Sequence, residues 1–147
     1  MHDILKSSVS IYMATYNGEK LIEAQLNSIL KQLSDDDEII IFDDVSKDKI
    51  GEIILSYNSN RMKLFQNETN LGYIKTFEKA IEKSKNPVSF LSDQDDIWMK
   101  GRLNKMYTAL FESNKNLLVC SNFQALSDSE KCISFQNKII SFFTRKI

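Results

Sequence analysis

The sequence has few of the residues on which several common kinds of site depend. Among 147 residues there are four Gly, one Pro, two Cys and one His. Neither of the common glycine-rich phosphate loops, G-x-G-x-x-G and G-x-x-x-x-G-K-[ST], occurs. Cys120 and Cys132 are not in a C-x-x-C spacing and neither lies near His2 in the sequence, so a zinc or thiol redox site is not predicted.

The sequence also lacks long apolar runs and an excess of either charge. No run approaches the roughly 20 apolar residues of a membrane span, and the N-terminus has no signal-peptide pattern, so we expect a cytoplasmic chain. With 19 Lys and Arg against 20 Asp and Glu, the composition gives no electrostatic reason to expect nucleic-acid binding. A hydrophobic content of 42% indicates a globular domain, which we place at residues 1–124, followed by a tail at 125–147.

Short runs of β-branched and aromatic residues alternate with apolar residues at helical spacing. The runs lie at residues 9–14, 38–42, 62–65, 88–91 and, as a fifth candidate, 117–120. The helical stripes between them lie around Leu26, Ile54, Ala80 and Met106. This alternation predicts an α/β fold with a Rossmann-like, mostly parallel sheet and helices on both faces.

Polar residues directly follow four of the predicted strands. They are Thr15-Tyr16-Asn17-Gly18, Asp43-Asp44, Asn67 with Asn70-Leu71-Gly72, and Asp93-Gln94-Asp95-Asp96. Each of the first three groups would by itself be interpreted as a turn or a helix cap. Because parallel strands end at one edge of a sheet, where open α/β sheets bind ligands, we expect the four loops to converge on one cleft.

Three carboxylates stand within four residues, at Asp93, Asp95 and Asp96. Like charges this close repel one another, so such a cluster is kept in water, paired with basic groups or loaded with a cation. A solvated acidic turn is the plainest interpretation of the cluster alone. Since no His or Cys adjoins it, a bound cation would be Mg²⁺ or Mn²⁺. Without a glycine-rich loop, this metal, helped by Lys75, would have to hold a phosphate ligand.

Taken together, these motifs resemble those of one enzyme family. Residues 9–18, the Asp43-Asp44-x-Ser46 step, Asn70-x-Gly72 and residues 92–98 (Ser-Asp-Gln-Asp-Asp-Ile-Trp) are similar, in this order, to the family 2 glycosyltransferases of GT-A fold. The similarity is greatest to the bacterial rhamnosyltransferase-like branch, which builds cell-surface polysaccharide. The resemblance covers about residues 8–112.

The resemblance implies an enzyme that transfers a sugar, with inversion, from a UDP- or dTDP-linked donor to a glycan or lipid-linked acceptor. The donor-binding residues that it implies are Thr15, Tyr16, Asn17, Asp43, Asp44, Asn70, Gly72, Lys75, Asp93 and Asp96. Tyr16 would lie against the base, and Asp44, with Asp43, would hold the base or the ribose. Asp93 and Asp95 would form the D-x-D pair that binds Mg²⁺ or Mn²⁺, with Asp95 as the main ligand. The metal would stabilise the charge that develops on the departing diphosphate.

The sequence departs from the family pattern in two places. Phe77-Glu78 occupies the positions at which many members have Arg-Asn, so Lys75 becomes the candidate contact to the donor phosphates. The carboxylate base of such enzymes lies well beyond the D-x-D pair, where Asp128 and Glu130 are the candidates in this chain. We therefore expect the chain to be the N-terminal, donor-binding half of a longer enzyme.

Apolar residues between Cys132 and Ile147 fall on one helical face. We therefore expect the tail to form an amphipathic helix that packs on the core, pairs with a second copy of the chain or lies on an anionic membrane surface. Two other functions stay open. One is a catalytically silent nucleotide-sugar-binding unit that needs a partner. The other is a receiver-type signalling domain, although that type has an acidic pair where this chain has Thr15-Tyr16-Asn17.

Overall fold

The computed structural model describes residues 7–111, 119, 121, 124–126 and 132–134. Its main body alternates strands with helices, in the order β1 (Val9–Thr15), α1 (Ile22–Leu30), β2 (Glu38–Asp43), α2 (Ile50–Ser56), β3 (Met62–Gln66), α3 (Tyr73–Glu82), β4 (Val88–Ser92) and α4 (Arg102–Phe111). A two-stranded hairpin follows, formed by β5 (Gln124–Leu126) and β6 (Cys132–Ser134).

The first four strands form one parallel sheet in the order β3-β2-β1-β4. β1 is paired on both sides, so that Ile11 faces Ile39 of β2 and Phe90 of β4. The chain builds outward from β1 to β3 and then returns through α3 to the other side of β1. Because the strands run in one direction, the loops that follow them lie along one edge, and the strand order reverses between β1 and β4.

Alternate residues of the strands pack against helices on the two faces of the sheet. On one face Ile11 and Met13 of β1 belong to a large cluster that includes buried residues of α1, α2 and α4. On the other face Tyr12 and Phe42 belong to a smaller cluster with Ala80 of α3. The two interior strands are therefore buried on both faces, which explains their nearly continuous apolar sequences.

Polar side chains on the α3 face of the sheet are paired with one another. The Glu38 carboxylate accepts hydrogen bonds from Ser10 Oγ at 2.7 Å and from Lys63 Nζ at 2.6 Å, and the Tyr12 and Ser89 hydroxyls share one at 2.9 Å. Burial alone would raise the pKa of Glu38, but the Lys63 ammonium and the Ser10 hydroxyl outweigh it and hold the pKa below its usual value. These pairs avoid the cost of burying unsatisfied polar groups.

The predicted α/β fold is confirmed, since the four predicted strands form a parallel sheet that has helices on both faces. The strand predicted at residues 117–120 lies largely outside the described residues, and Val119, which is described, belongs to no strand. Within the described part of the chain, no helix is both long enough and apolar enough to span a membrane.

The helix predicted for the tail is wrong at Cys132–Ser134, which form β6 and pair antiparallel with Gln124–Leu126. Ser and Asp, which favour turns, are frequent in the intervening sequence, and a hairpin satisfies backbone groups across the two strands. The predicted boundary between residues 124 and 125 falls inside β5. Residues 135–147, on which the expected chain pairing or membrane contact also depended, lie outside the described residues.

Truncation of Ile41 should test the packing of the sheet. Ile41 of β2 is fully buried in the large cluster, so Ile41→Ala should lower the free energy of unfolding by about 2–5 kcal/mol. Leu55 of α2 is 68% exposed, and Leu55→Ala should change the free energy of unfolding by no more than about 0.5 kcal/mol. Urea denaturation of the two variants measures both values. Equal losses would contradict the assignment of Ile41 to the core.

Candidate functional site

A cavity of about 520 Å³ lies at the edge of the sheet where the strands end. It is lined by Ala14, Thr15, Tyr16, Asp44, Asn70, Gly72, Tyr73, Thr76, Phe77, Asp93, Gln94 and Asp95. These residues come from the ends of β1, β2 and β4 and from the start of α3, so the predicted convergence of four loops is confirmed. The volume lies within the range of about 300–1,000 Å³ that is typical of small-molecule sites.

Asp43, at the end of β2, is buried and fully hydrogen-bonded within the chain. Its carboxylate accepts from Thr15 Oγ1 at 3.0 Å, from both the backbone N–H (2.9 Å) and the hydroxyl of Ser46, and from Gln66 Nε2 at 3.3 Å. A carboxylate has about four accepting positions, so none is left for a ligand. Asp43 therefore joins the loops after β1 and β2, and it does not line the cavity.

Asp44 lines the cavity and anchors the loop after β3. Its carboxylate accepts from Asn67 Nδ2 and from the backbone N–H groups of Leu71 and Gly72, each at 2.8 Å. Burial alone would raise the pKa of Asp44, but these hydrogen bonds outweigh it and hold the pKa below its usual value. Asp44 is thus a stably ionised carboxylate, stabilised by the loop after β3 and by the Thr76 hydroxyl.

The start of α3 is shaped by the same loop. Gly72 precedes the helix at φ +77°, a conformation that a side chain disfavours. Asn70 Nδ2 donates to the backbone carbonyl of Asp44 at 3.1 Å, and the buried Thr76 hydroxyl lies 3.1 Å from Asn67 Nδ2. These contacts bring Tyr73, Thr76 and Phe77 to the cavity wall.

Tyr16 and Asn17, after β1, have different surroundings. The Tyr16 side chain is 48% exposed and lines the cavity. Asn17, at φ +48°, accepts from the Lys47 backbone N–H at 2.8 Å through Oδ1 and donates its own N–H to Ser46 Oγ at 2.9 Å. Asn17 therefore connects the loops after β1 and β2 and is not part of the cavity lining.

The acidic loop after β4 has a different electrostatic character from Asp43 and Asp44. No hydrogen bond to the carboxylate of Asp93, Asp95 or Asp96 occurs among the residues that the structure describes. Partial burial and the neighbouring Asp96 and Asp95 raise the pKa of Asp93, and partial burial and Asp95 raise that of Asp96. Asp93 and Asp95 line the cavity, whereas Asp96 does not.

Arg102 provides positive charge near this loop. Its guanidinium lies over the Trp98 ring, 4.7 Å from the centroid. Burial lowers the pKa of Arg102, although Asp96 and Asp93 act in the opposite direction. The Arg102 guanidinium therefore balances part of the negative charge of Asp93 and Asp96.

The acidic loop offers a divalent cation an incomplete set of ligands. Within the described residues, no group of three His, Cys, Asp or Glu side chains is placed to hold a metal. The cavity wall offers carboxylate oxygens from Asp93 and Asp95. Mg²⁺ is often held by one or two carboxylates and completes its shell with water and substrate phosphates, so an ion bound together with a phosphate ligand fits these residues.

The predicted site residues are only partly brought together. The cavity is lined by seven of them, Thr15, Tyr16, Asp44, Asn70, Gly72, Asp93 and Asp95. Four others do not line it: Asn17, Asp43, Lys75 and Asp96. Lys75 is exposed on α3. Asp128 and Glu130 lie outside the described residues.

The sequence reasoning missed five lining residues, Ala14, Tyr73, Thr76, Phe77 and Gln94. Phe77, three residues before Ala80 in the helical stripe of α3, packs against the smaller cluster and also lines the cavity. The position of Gln94 between two aspartates was the one available signal for that residue.

The comparisons with known proteins agree with one another. The model of glycosyl transferase family 2 matches residues 10–146. The UDP-Glc:alpha-D-GlcNAc-diphosphoundecaprenol beta-1,3-glucosyltransferase WfgD of Escherichia coli is 28% identical over 121 residues, which are 82% of this chain and 47% of the relative. The dTDP-rhamnosyl transferase RfbG of Shigella flexneri is 38% identical over 112 residues, which are 71% of this chain and 38% of the relative. This chain thus spans less than half the length of either relative.

A solved structure supports the fold. The mannosyltransferase PcManGT of Pyrobaculum calidifontis, in complex with GDP-Man and Mn²⁺, superposes with a TM-score of 0.70 over 82% of this chain and 37% of that structure. Its sequence identity to this chain is 17%, so the comparison shows a common fold and no more.

Asp44→Asn should test the anchor of the loop after β3. Hydrogen bonds to a charged group are worth about 1.5–3 kcal/mol, so the variant should lose about 2 kcal/mol of stability at pH 7. Because the folded-state pKa of Asp44 lies below its unfolded value, its contribution is complete above that unfolded value, near 4, and is lost as the pH falls through the folded-state pKa. The stability gap between wild type and variant should therefore narrow in acid.

Urea denaturation at pH 7, 4 and 3 measures this gap. Asp36→Asn is the matched control, because Asp36 is exposed and precedes β2 at the opposite edge of the sheet. A gap that stays constant with pH would show that Asp44 acts through shape and not through its charge.

Proposed function

Because the chain belongs to glycosyl transferase family 2 and has the GT-A fold, we propose that it binds a nucleotide-diphosphate-sugar donor in the cavity at the edge of the sheet. The enzyme would transfer the sugar, with inversion, to a glycan or lipid-linked acceptor in cell-surface polysaccharide synthesis. The relatives' names support this substrate class, since one names a UDP-Glc donor with an undecaprenol-linked acceptor and the other a dTDP-rhamnosyl donor.

One observation carries the proposal. The cavity has an exposed aromatic ring, Tyr16, after one strand and two carboxylates without internal hydrogen bonds, Asp93 and Asp95, after the neighbouring strand. A nucleoside diphosphate has a base that stacks on aromatic rings and a diphosphate that binds Mg²⁺ or Mn²⁺. The base of such a ligand would stack on the Tyr16 ring, and its diphosphate would bind, through the metal ion, to Asp93 and Asp95.

In this arrangement Asp95, with Asp93, would hold Mg²⁺ or Mn²⁺ together with the donor diphosphate. When bound, the ion stabilises the charge on the departing nucleoside diphosphate. Asp96, outside the cavity lining, adds to the negative field that draws the cation to the loop. Lys75 is exposed near the start of α3, close in sequence to the lining residue Gly72, and is the candidate for a contact to the phosphates.

The remaining donor contacts come from the loops that Asp43 and Asp44 build. The Asp44 carboxylate lines the cavity, where it would accept from a base N–H or a ribose hydroxyl. Asn70 and Gly72 form the adjoining wall with Thr15. Asp43 and Asn17 act on the donor through the loops that they hold in place.

Inversion requires one displacement by an acceptor hydroxyl that a carboxylate deprotonates. Asp128 and Glu130 remain the proposed bases in this chain. We place the reaction in the cytoplasm, at the membrane surface if the acceptor is lipid-linked. A silent donor-binding unit would show the same binding without transfer, so turnover with a polysaccharide or lipid-linked acceptor extract separates the two functions.

The metal ligand is tested by calorimetric titration with UDP, dTDP and GDP, each with Mn²⁺ and with EDTA. We expect one nucleotide to bind in the presence of Mn²⁺ and to lose affinity in EDTA. Asp95→Asn should weaken that binding at least about tenfold, because it removes the charge that holds the ion. The exposed side chain should leave the fold intact.

Asp36→Asn again serves as the control, since Asp36 is an exposed carboxylate at the far edge of the sheet. Unchanged metal-dependent affinity in Asp95→Asn would overturn the metal assignment. If the wild-type chain binds none of the three nucleotides, the proposed donor site is overturned.

Tyr16 is tested by two substitutions in the same titration. Tyr16→Ala should weaken nucleotide binding about tenfold, as expected for loss of one base-stacking contact of about 1–3 kcal/mol. Tyr16→Phe keeps the ring and should bind nearly as well as wild type. Equal loss in the two variants would show that the hydroxyl, and not the ring, contacts the ligand.

A further inference from the structure

The Gln94 side chain connects two loops, the one whose Tyr16 is proposed to contact the nucleotide base and the one whose Asp93 and Asp95 are proposed to bind the metal. Its Oε1 accepts the Tyr16 backbone N–H at 2.9 Å, and its Nε2 donates to the Tyr16 carbonyl at 3.1 Å. The paired backbone of β1 and β4 ends at Met13 and Ser92. The Gln94 amide therefore continues the pairing of the two chain segments beyond the end of the sheet.

Gly18 provides the space for this contact. A Cβ at residue 18 would lie 2.5 Å from Gln94 Oε1, 2.6 Å from Cδ and 2.9 Å from Nε2, closer than side-chain atoms approach. Gly18 is not among the residues at positive φ, so its backbone conformation would admit other residues. The requirement for glycine at this position comes from the Gln94 amide that packs against it.

The loop after β4 is also held from α1. The buried Gln25 donates through Nε2 to Ser92 Oγ at 2.6 Å and to the Asp93 carbonyl at 3.1 Å. The backbone that bears Asp93 and Gln94 is thus fixed to α1, and Gln94 in turn fixes Tyr16. Within the part of the chain that the structure describes, the Tyr16 hydroxyl makes no hydrogen bond, so the position of the ring beside the cavity follows from its backbone. Gln94 holds that backbone on the β4 side, and Asn17 holds it on the β2 side.

We propose that Gln94 is a positioning residue that sets the distance between the Tyr16 ring and the Asp93 and Asp95 carboxylates, with Gly18 as its required neighbour. The inference rests on the proposed function, because that distance matters only for a ligand that spans both walls. Gln94 would then decide how well the base end of a nucleoside diphosphate binds, and would have little effect on the diphosphate end.

The contact itself is tested without a ligand, by amide hydrogen exchange. Gln94→Met keeps the length of the side chain and removes both hydrogen bonds. We expect the Tyr16 amide to exchange at least about tenfold faster in this variant, while the Ile40 amide in the interior strand β2 is unchanged. Equal protection of the Tyr16 amide in wild type and variant would overturn the inference.

The positioning role is tested by comparing two ligands in the presence of Mn²⁺, the nucleotide that the wild type binds and inorganic pyrophosphate. Gln94→Met should weaken the nucleotide about tenfold and leave pyrophosphate within about twofold of wild type. A purely structural role would weaken both ligands together and lower the unfolding temperature. That result, or unchanged binding of both ligands, would overturn the inference.

Gly18→Ala gives a second route to the same contact. The atoms that the new Cβ would meet belong to the end of a flexible side chain, so the variant should displace the amide and remain folded. Its nucleotide affinity should fall as in Gln94→Met, and the double variant Gly18→Ala, Gln94→Ala should bind no worse than Gln94→Ala alone. Additive losses would overturn the pairing of the two residues.

Failure of the inference and failure of the proposed function are distinguishable. A wild-type chain that binds none of the three nucleotides overturns the function, and the positioning role with it. A wild-type chain that binds one of them equally well after Gln94→Met overturns the positioning role alone.

Discussion

The parallel pairing of β1 with both of its neighbours is the constraint on which the rest of the site depends. Thr15 is in register with Asp43 on one side, and Met13 with Ser92 on the other. These pairings determine where each loop leaves the sheet. Because side chains alternate between the faces of a strand, a slip of one residue would exchange the residues on the two buried faces of β1 and separate Thr15 from Asp43. The buried apolar residues on both faces of β1 exclude such a slip.

The carboxylates at this edge fall into two groups by their surroundings. Asp43 and Asp44 are buried and accept hydrogen bonds from neighbouring loops, and Asp44 is held ionised by them. Partial burial and the neighbouring aspartates raise the pKa values of Asp93 and Asp96. The first group uses its charge to build the loops. The second group keeps a charge that a ligand or a cation has to balance, which is why the family resemblance and the local electrostatics indicate the same loop.

The sequence predicted the strands, the helices and the convergence of the loops, because these follow from short-range periodicity and from the geometry of parallel sheets. It did not separate Asp43 from Asp44, which look alike as neighbours in a strand end, although one is fully hydrogen-bonded and the other faces the cavity. Gln25 and Gln94 were also missed, since their partners are distant in sequence. The tail was predicted as a helix because its apolar spacing fits one, but the hairpin at β6 depends on pairing with β5.

The position of β4 in the strand order has a consequence for folding. β1, β2 and β3 are linked by local connections, whereas β4 pairs with β1 only after α3 has crossed the sheet, with Val88 opposite Val9. Pairing between residues this far apart in sequence closes a longer loop than the pairing of β1 with β2 and raises the contact order, which is typical of slower folding. The acidic loop follows this last strand, so a chain in which β4 is not paired with β1 lacks the part of the cavity wall formed by Asp93, Gln94 and Asp95. Ligand binding would therefore report on the pairing of β4 with β1.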